Sequence, residues 1–254
     1  MVTKQLFYTV EGSGEPIVLL HGYLASSHYF KKLRQHLSET HMVISIDLLG
    51  FGRSPKVRSN YTYDDHIQAV HATLQSIGIK GFALVGHSLG ALIALRYSLA
   101  YPSLVGKLVL FNPPMYVDAG QALATLKATG LHYRIMLHSR YRDVAWAASK
   151  MFPRFPFNKK RPAINLTDML RVSPLARRLT YQHVILAGEF FGDIVRAQVP
   201  TLLVVGARDR PEYNANVFGR QLPPQVSAVT VSTGHHTPSQ RPELAAWLVR
   251  STLR

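Results

Sequence analysis

The sequence predicts an α/β fold: a mostly parallel central sheet flanked by helices, with a helical insertion. Short apolar runs alternate with helical patterns, which is typical of parallel strands buried on both faces. This alternation stops between residues 113 and 195 and then resumes. A serine also lies between two glycines at a predicted strand-to-helix junction. With 254 residues and 47% hydrophobic content, the chain can bury one large core and carry an insertion.

The individual elements follow from the hydrophobic pattern in chain order. Apolar runs predict strands at 17–20, 42–46, 82–85, 107–111, 201–205 and 226–231. Helical periodicity predicts helices at 29–37, 67–77, 89–101 and 242–253. Thr62 and Asp65 form a predicted capping box that opens the second of these helices.

The break in the alternation predicts two domains. Residues 1–112 and 196–254 would form the core, and residues 113–195 would form an insertion of several helices. The stretch from 134 to 178 carries eleven basic residues against two acidic ones, within a chain of net charge +15. This charge raises an anionic membrane surface as an alternative partner, although a solvated face of the insertion is the simpler interpretation. Nucleic-acid binding is disfavoured because charge is its only support.

The strongest local signal is the motif GHSLG at 86–90, which ends one predicted strand and begins the next helix. Glycines two residues before and two residues after Ser88 allow the sharp turn that exposes a serine nucleophile. The N–H of Leu89, at the helix start, is suited to stabilise a developing oxyanion. We interpret Ser88 as the nucleophile; a Gly-Ser-Gly turn without chemistry is the alternative.

A second oxyanion donor is predicted in the turn after the first apolar run. Gly22 would allow a close approach to a substrate carbonyl, and the N–H of Tyr23 would lie beside that of Leu89. The ring of Tyr23 could equally line the pocket. We expect His21 to bond the loop backbone rather than to act in catalysis.

Taken together, the motifs resemble those of the α/β-hydrolase superfamily over nearly the whole chain outside the insertion. They are HGYL at 21–24, DLLGFGRS at 47–54, GHSLG at 86–90, VVGARD at 204–209 and TGHH at 233–236. The resemblance implies a nucleophile, an acid and a histidine in that order, which Ser88, Asp209 and His235 satisfy. It also implies that residues 113–195 form a helical cap inserted after the sixth strand, and that Asp47 and Arg53 have structural roles. Serine at position 88 disfavours dehalogenase and epoxide hydrolase chemistry, for which similar scaffolds use aspartate.

The acid and the histidine have local alternatives. Asp209 follows an apolar run and should lie at the carboxyl edge of the sheet, where it can orient a histidine. The alternatives are a surface ion pair of Asp209 with a neighbouring arginine, and Asp118 as the acid. His235 directly follows a glycine, as the family pattern requires, but His236 is adjacent to it.

The expected activity is hydrolysis of a carboxylic ester through an acyl-enzyme intermediate. Hydrolysis of a lactone, a thioester or a C–C bond on the same triad remains an alternative, as does a weakly catalytic, receptor-like binding protein. The expected substrate is a small, apolar ester or acyl compound. Candidates for its pocket are His87, Met115, Tyr116, Met136, Trp146, Phe152 and His236.

The sequence implies no cofactor or metal. It has no cysteine, no GxGxxG after a strand, no phosphate-binding GKS or GKT motif and no histidine-rich metal spacing. Since it also has no signal-peptide pattern and no apolar run of membrane-spanning length, we expect a cytoplasmic location. The oligomeric state is left open.

Overall fold

The structure, a computed structural model, describes residues 5–128 and 166–254, with side chains at all of these positions except 166, 169 and 170. Seven strands in these ranges form one sheet. They are β1 (Tyr8–Glu11), β2 (Pro16–Leu20), β3 (Met42–Ile46), β4 (Phe82–His87), β5 (Val105–Phe111), β6 (Thr201–Gly206) and β7 (Val226–Val231). Their order is β1-β3-β2-β4-β5-β6-β7, and only β1 and β3 pair antiparallel.

Helices fill the connections between the strands. The described ones are α1 (Lys31–Leu37), α2 (Tyr63–Ser76), α3 (Leu89–Ala100), α4 (Ala119–Ala128), α5 (Leu166–Arg171), α6 (Pro174–Thr180), α7 (Phe190–Ile194), α8 (Pro211–Phe218), α9 (Thr237–Gln240) and α10 (Pro242–Leu253). Short 3-10 turns lie at Ser27–Phe30 and Pro102–Leu104, and a π-helical turn lies at Tyr181–Ile185. Among these helices, none is long and apolar enough to cross a membrane.

Alternate residues of the parallel strands pack into two cores, one on each face of the sheet. In β2, Val18 and Leu20 belong to the core that α2 and α3 cover, whereas Ile17 and Leu19 belong to the core beneath α1 and α10. Successive side chains of a strand point to opposite faces, so a sheet covered on both sides needs strands that are apolar throughout. The predicted mostly parallel sheet with flanking helices is therefore confirmed.

The local predictions agree with the structure at most elements and miss one strand. The six predicted strands correspond to β2–β7. At the start of α2, the N–H of Asp65 donates to Thr62 Oγ1 at 3.3 Å and the N–H of Thr62 donates to Asp65 Oδ2 at 3.0 Å, so the capping box is confirmed. The missed strand is β1, whose four partly exposed residues form an antiparallel edge and lack an apolar run.

The predicted insertion follows β5, the fifth of the seven described strands, where the resemblance implied a sixth. Its described parts, residues 113–128 and 166–195, contain helices and no strand. Most of the basic stretch lies outside the described residues. At its end, Arg171 is exposed but Arg177 is fully buried, so this part is not a uniformly solvated face. A cap over residues 113–195 stays a prediction.

Candidate active site

Ser88 lies on a strained turn between β4 and α3. Its backbone has a φ of 53°, in the left-handed region that non-glycine residues rarely adopt. The Ser88 N–H donates to the carbonyl of Phe111 on the neighbouring strand at 2.9 Å, which fixes the turn against the sheet. Leu89 is the first residue of α3, so the helix itself has no carbonyl for its N–H. This amide can therefore serve a ligand beside Ser88.

The glycines on either side of Ser88 are required by close backbone contacts. A Cβ on Gly90 would overlap the carbonyl oxygen of Leu20, and a Cβ on Gly86 would overlap that of Gly90. The strand-turn-helix junction is thus too tight for any larger residue at either position. This is the physical reason for the spacing of the motif.

Gly90→Ala is expected to lower the free energy of unfolding by about 3 kcal/mol or more, because the overlap is with backbone that cannot move independently. Chemical denaturation of the variant would measure the loss. Gly106→Ala is the matched control, since a Cβ there would be 4.0 Å from the nearest atom outside the adjoining residues, the Phe82 carbonyl oxygen. Equal stability of the two variants would contradict this account of the junction.

Ser88, His235 and Asp209 lie together at the carboxyl edge of the sheet. Ser88 Oγ is 2.9 Å from His235 Nε2, and His235 Nδ1 is 2.9 Å from Asp209 Oδ2. Ser88 follows β4 directly, whereas Asp209 and His235 lie in the loops after β6 and β7. The side chain of Asp209 is only 4% exposed, while that of His235 is 32% exposed. The arrangement can move a proton from the serine hydroxyl to a histidine that a carboxylate orients.

The surroundings of Asp209 keep its carboxylate ionised. Burial raises its pKa, but hydrogen bonds from His235, Asn112 and the Arg210 N–H, with the nearby charge of His235, outweigh burial and lower the pKa below its ordinary value. The predicted alternative acid, Asp118, instead accepts a hydrogen bond from the Gln121 N–H at 2.7 Å beside α4. The carboxylate that contacts His235 is that of Asp209.

Asn112 is a site residue that the sequence analysis missed. It is fully buried, has a left-handed φ of 48° and follows β5, which lies between β4 and β6. Its Nδ2 donates to Asp209 Oδ2 at 3.0 Å and lies 3.4 Å from the carbonyl oxygen of Gly234. Asn112 thus links the loop of the acid to the loop of the histidine. An asparagine directly after an apolar run was the available signal.

The turn after β2 lies beside Ser88. A Cβ on Gly22 would be 3.2 Å from Ser88 Cβ, which shows how closely the two turns approach. His21 bonds only backbone, as expected: its Nδ1–H donates to the Gly22 carbonyl at 2.7 Å, and its Nε2 accepts from the Leu48 N–H at 2.9 Å. Burial lowers the pKa of His21 and so favours this neutral form.

Tyr23 belongs to the same turn, and its side chain points toward the helical segment. Its hydroxyl donates to the carbonyl of Arg177 at 2.8 Å, and its ring packs against Phe51 and Tyr181. These contacts fix the side chain of Tyr23. Its peptide group directly follows Gly22, which lies close to Ser88. The assignment of Tyr23 and Leu89 as oxyanion donors stays a prediction.

The DLLGFGRS motif organises the loop after β3. The carboxylate of Asp47 accepts hydrogen bonds from the N–H of Ser27 at 2.6 Å and of Arg53 at 2.8 Å. Ser54 Oγ accepts from the Phe7 N–H at 2.9 Å and donates to the Asp47 carbonyl. The loop-organising role implied for Asp47 is thus observed, and Ser54, unassigned by sequence, shares it.

The side chains expected in the substrate pocket are mostly buried elsewhere. His87 is 2% exposed and Met115 is fully buried, so neither offers surface to a ligand in this structure. Tyr116, 5% exposed, packs its ring against Tyr213 at 5.3 Å. His236 lies against the rings of Tyr29, His87 and His235. The remaining candidates, Met136, Trp146 and Phe152, lie outside the described residues.

Backbone strain is concentrated around the site. Among the described residues, four that are not glycine have a left-handed φ. Three of them lie at this edge of the sheet: Ser88 directly follows β4, Asn112 directly follows β5, and Leu24 directly follows Tyr23 in the turn after β2. Such conformations cost about 1–3 kcal/mol each and persist where the surrounding structure holds them. Their clustering makes this edge of the sheet the candidate functional site.

Comparison with known proteins gives one family and distant relatives. The family model described as alpha/beta hydrolase fold matches residues 15–239. "Uncharacterized hydrolase YugF" of Bacillus subtilis (strain 168) is 28% identical over 91% of this chain and 86% of its own length. "Probable lysophospholipase BODYGUARD 4" of Arabidopsis thaliana is 33% identical over 43% of this chain. The match spans only 27% of the length of that Arabidopsis relative.

The fold is also shared with solved structures. A thermophilic esterase from Thermogutta terrifontis superposes with a TM-score of 0.76, covering 98% of this chain and 93% of the esterase. The two sequences are 23% identical, so the likeness concerns the fold.

Proposed function

Because this chain belongs to the α/β-hydrolase fold family, we propose that it is a serine hydrolase that cleaves carboxylic esters through an acyl-enzyme intermediate. One observation carries the proposal: a continuous chain of hydrogen bonds joins Ser88 Oγ, both ring nitrogens of His235, and Asp209, with 2.9 Å at each step. The serine lies on a strained turn at a helix start, where a nucleophile and an oxyanion donor can adjoin.

The proposed reaction has two steps. In the first, Ser88 Oγ attacks the substrate carbonyl carbon while His235 Nε2 takes the hydroxyl proton, and the N–H groups of Tyr23 and Leu89 hold the oxyanion. His235 then gives this proton to the departing alcohol, which leaves the acyl group on Ser88. In the second step, water attacks the acyl carbon and gives its proton to His235, and Ser88 recovers that proton as the acid departs.

Asp209 and Asn112 prepare His235 for these transfers. The ionised carboxylate accepts the Nδ1–H of His235, so Nε2 faces Ser88 as the proton acceptor. Asn112 holds the other side of the same carboxylate oxygen. In this proposal residues 113–195 form a cap that selects an apolar acyl or alcohol group.

Initial rates with p-nitrophenyl esters of increasing acyl length test the proposal, together with mass spectrometry of the Ser88 peptide after rapid quenching. We expect turnover, an acyl adduct on Ser88, and a length profile that reports the size of the pocket. A labelled Ser88 without ester turnover would favour lactones, thioesters or C–C bonds as substrates. Slow turnover with tight product binding would favour a receptor-like role, and an unreactive Ser88 would refute the proposal.

Asp209→Asn is expected to lower kcat by about 10⁴-fold with little change in KM, because the amide favours the wrong histidine tautomer. Steady-state kinetics on the best p-nitrophenyl ester would measure the loss. Asp118→Asn is the matched control and should retain wild-type kcat, since Asp118 bonds the Gln121 N–H instead. A similar loss in both variants would contradict the assignment of the acid.

The same substitution should also change how stability depends on pH. Since the folded-state pKa of Asp209 lies below its unfolded value, the ionised carboxylate stabilises the fold at higher pH, and this stabilisation is lost as pH falls below about 4. The difference in free energy of unfolding between wild type and Asp209→Asn should therefore be largest near neutral pH and narrow in acid. Urea unfolding across this range would measure it, and a constant difference would count against a lowered pKa.

A further inference from the structure

His87 contacts three parts of the site: the nucleophile turn of Ser88, the loop of His235 and the turn after β2. It is the last residue of β4 and is bonded directly to Ser88. Its Nε2–H donates to the backbone carbonyl of His235 at 2.8 Å, across 148 residues of sequence. On another side, its Nδ1 would lie only 2.8 Å from a Cβ on Gly22, so the ring packs directly on the turn after β2.

The ring of His87 is enclosed by its neighbours in this position. It stacks on Tyr29 with 4.5 Å between ring centroids and an angle of 16° between planes, and it is 2% exposed. Burial, reinforced by the nearby His235 and His236, lowers the pKa of His87 well below its ordinary value. The imidazole is therefore neutral, and the hydrogen bond to His235 fixes its one proton on Nε2.

His235 needs such a backbone anchor because its side chain is not enclosed. That side chain is 32% exposed, so packing alone does not fix its position. The adjoining loop has two other side-chain anchors, Gln240 on the Gly234 N–H at 2.9 Å and Asn112 near the Gly234 carbonyl at 3.4 Å. The side chain of His87, by contrast, bonds the backbone carbonyl of His235 itself.

We propose that His87 is a positioning residue, which holds His235 at hydrogen-bonding distance from Ser88 by tying the His235 carbonyl to the strand that carries the nucleophile. The inference rests on the proposed function of Ser88 and His235. It assigns His87 a role that needs no contact with substrate, and it explains why a polar ring is buried beside the nucleophile. A displacement of about 1 Å in a reacting group can cost about 10²-fold in rate.

Two pairs of variants separate the effect of the His87 hydrogen bond from the effect of its packing. The first pair is His87→Gln and His87→Asn, and the second is His87→Leu and His71→Leu. In His87→Gln, the amide nitrogen is as many bonds from Cβ as Nε2 and can reach the His235 carbonyl. In His87→Asn it is one bond too short, and His87→Leu has no donor. His71→Leu is the matched control for loss of a histidine, since His71 packs on Tyr101 and bonds the Tyr97 hydroxyl between α2 and α3.

The experiment measures phosphonylation of Ser88 by an alkyl fluorophosphonate, which reports the activated serine without an ester substrate. We expect the maximal labelling rate to fall about 10-fold to 100-fold in His87→Leu and His87→Asn, to stay within about threefold of wild type in His87→Gln, and the probe's apparent binding constant to change little. The downfield proton resonance of His235 Nδ1–H should follow the same order. His71→Leu should label like wild type.

The outcomes distinguish a failure of the proposed function from a failure of the role of His87. If wild type is not labelled, the proposed function fails and the inference fails with it. If wild type is labelled and His87→Leu or His87→Asn is labelled equally fast, only the role of His87 is overturned. Equal losses in His87→Gln and His87→Asn would also overturn it, because packing rather than the hydrogen bond would then matter. Should His87→Leu fail to fold, the comparison of Gln with Asn still decides.

Discussion

Ser88→Ala is expected to lower kcat for ester hydrolysis by about 10⁶-fold, the loss typical of removing the nucleophile of a triad. The acyl group then has no atom to which it can be transferred, and His235 has no hydroxyl proton to take. The small residual rate would come from water attack assisted by the oxyanion donors. Initial rates at high enzyme concentration, with the purified variant and wild type in parallel, would measure the ratio.

The fold should survive this substitution. Alanine replaces the hydroxyl without new bulk, and the turn is held by the Ser88 N–H bond to Phe111 and by the flanking glycines, which remain. We expect the free energy of unfolding to change by less than about 1 kcal/mol. Ser98→Ala is the matched control: this buried serine on α3 bonds the Leu95 carbonyl, and its loss should leave kcat unchanged. Full activity in Ser88→Ala would refute the assignment of the nucleophile.

The sequence predicts residues of this site wherever a strong local pattern surrounds them. Ser88 lies between an apolar run and a helical pattern, and its flanking glycines indicate a tight turn. Asp209 and His235 each follow an apolar run, and parallel strands bring the ends of such runs to one edge. What the sequence alone lacked was the distance between these loops, which the strand order sets.

Asn112 was not predicted, because the sequence alone does not give the distances between these loops. Its role depends on β5 lying between the strand of Ser88 and the strand of Asp209, although β5 and β6 are separated by the predicted insertion. A polar residue after a strand is common and has no characteristic spacing to Asp209 or Gly234. Only the assembled sheet shows that its amide reaches both loops.

The expectation that His87 lines the substrate pocket stays a prediction, but its ring is only 2% exposed in this structure. Consecutive side chains at the end of a strand point to opposite sides, so the side chain of the residue before Ser88 is directed away from the side that Ser88 faces. There the ring of His87 meets Tyr29 and the carbonyl of His235. Met115 and Tyr116 are also buried in this structure. They lie shortly after the buried strand β5, where neighbouring residues still cover the chain.

His235→Gln is expected to lower kcat by about 10⁶-fold, as much as loss of the serine, because the two groups act as one unit. Glutamine keeps most of the volume and can still bond Asp209, but it cannot accept and return a proton. Steady-state kinetics and fluorophosphonate labelling of Ser88 should both show the loss. Combining the substitution with Ser88→Ala should cost little more than either alone, since their effects on one proton transfer are not additive.

His236→Gln is the matched control, because from the sequence alone either of the two adjacent histidines could be the general base. His236 packs among the rings of Tyr29, His87 and His235, whereas the ring whose two nitrogens contact both Ser88 and Asp209 is that of His235. We therefore expect His236→Gln to lower kcat by less than about 10-fold. A larger loss in His236→Gln than in His235→Gln would reverse the assignment of the base and would mean that this loop rearranges before the reaction.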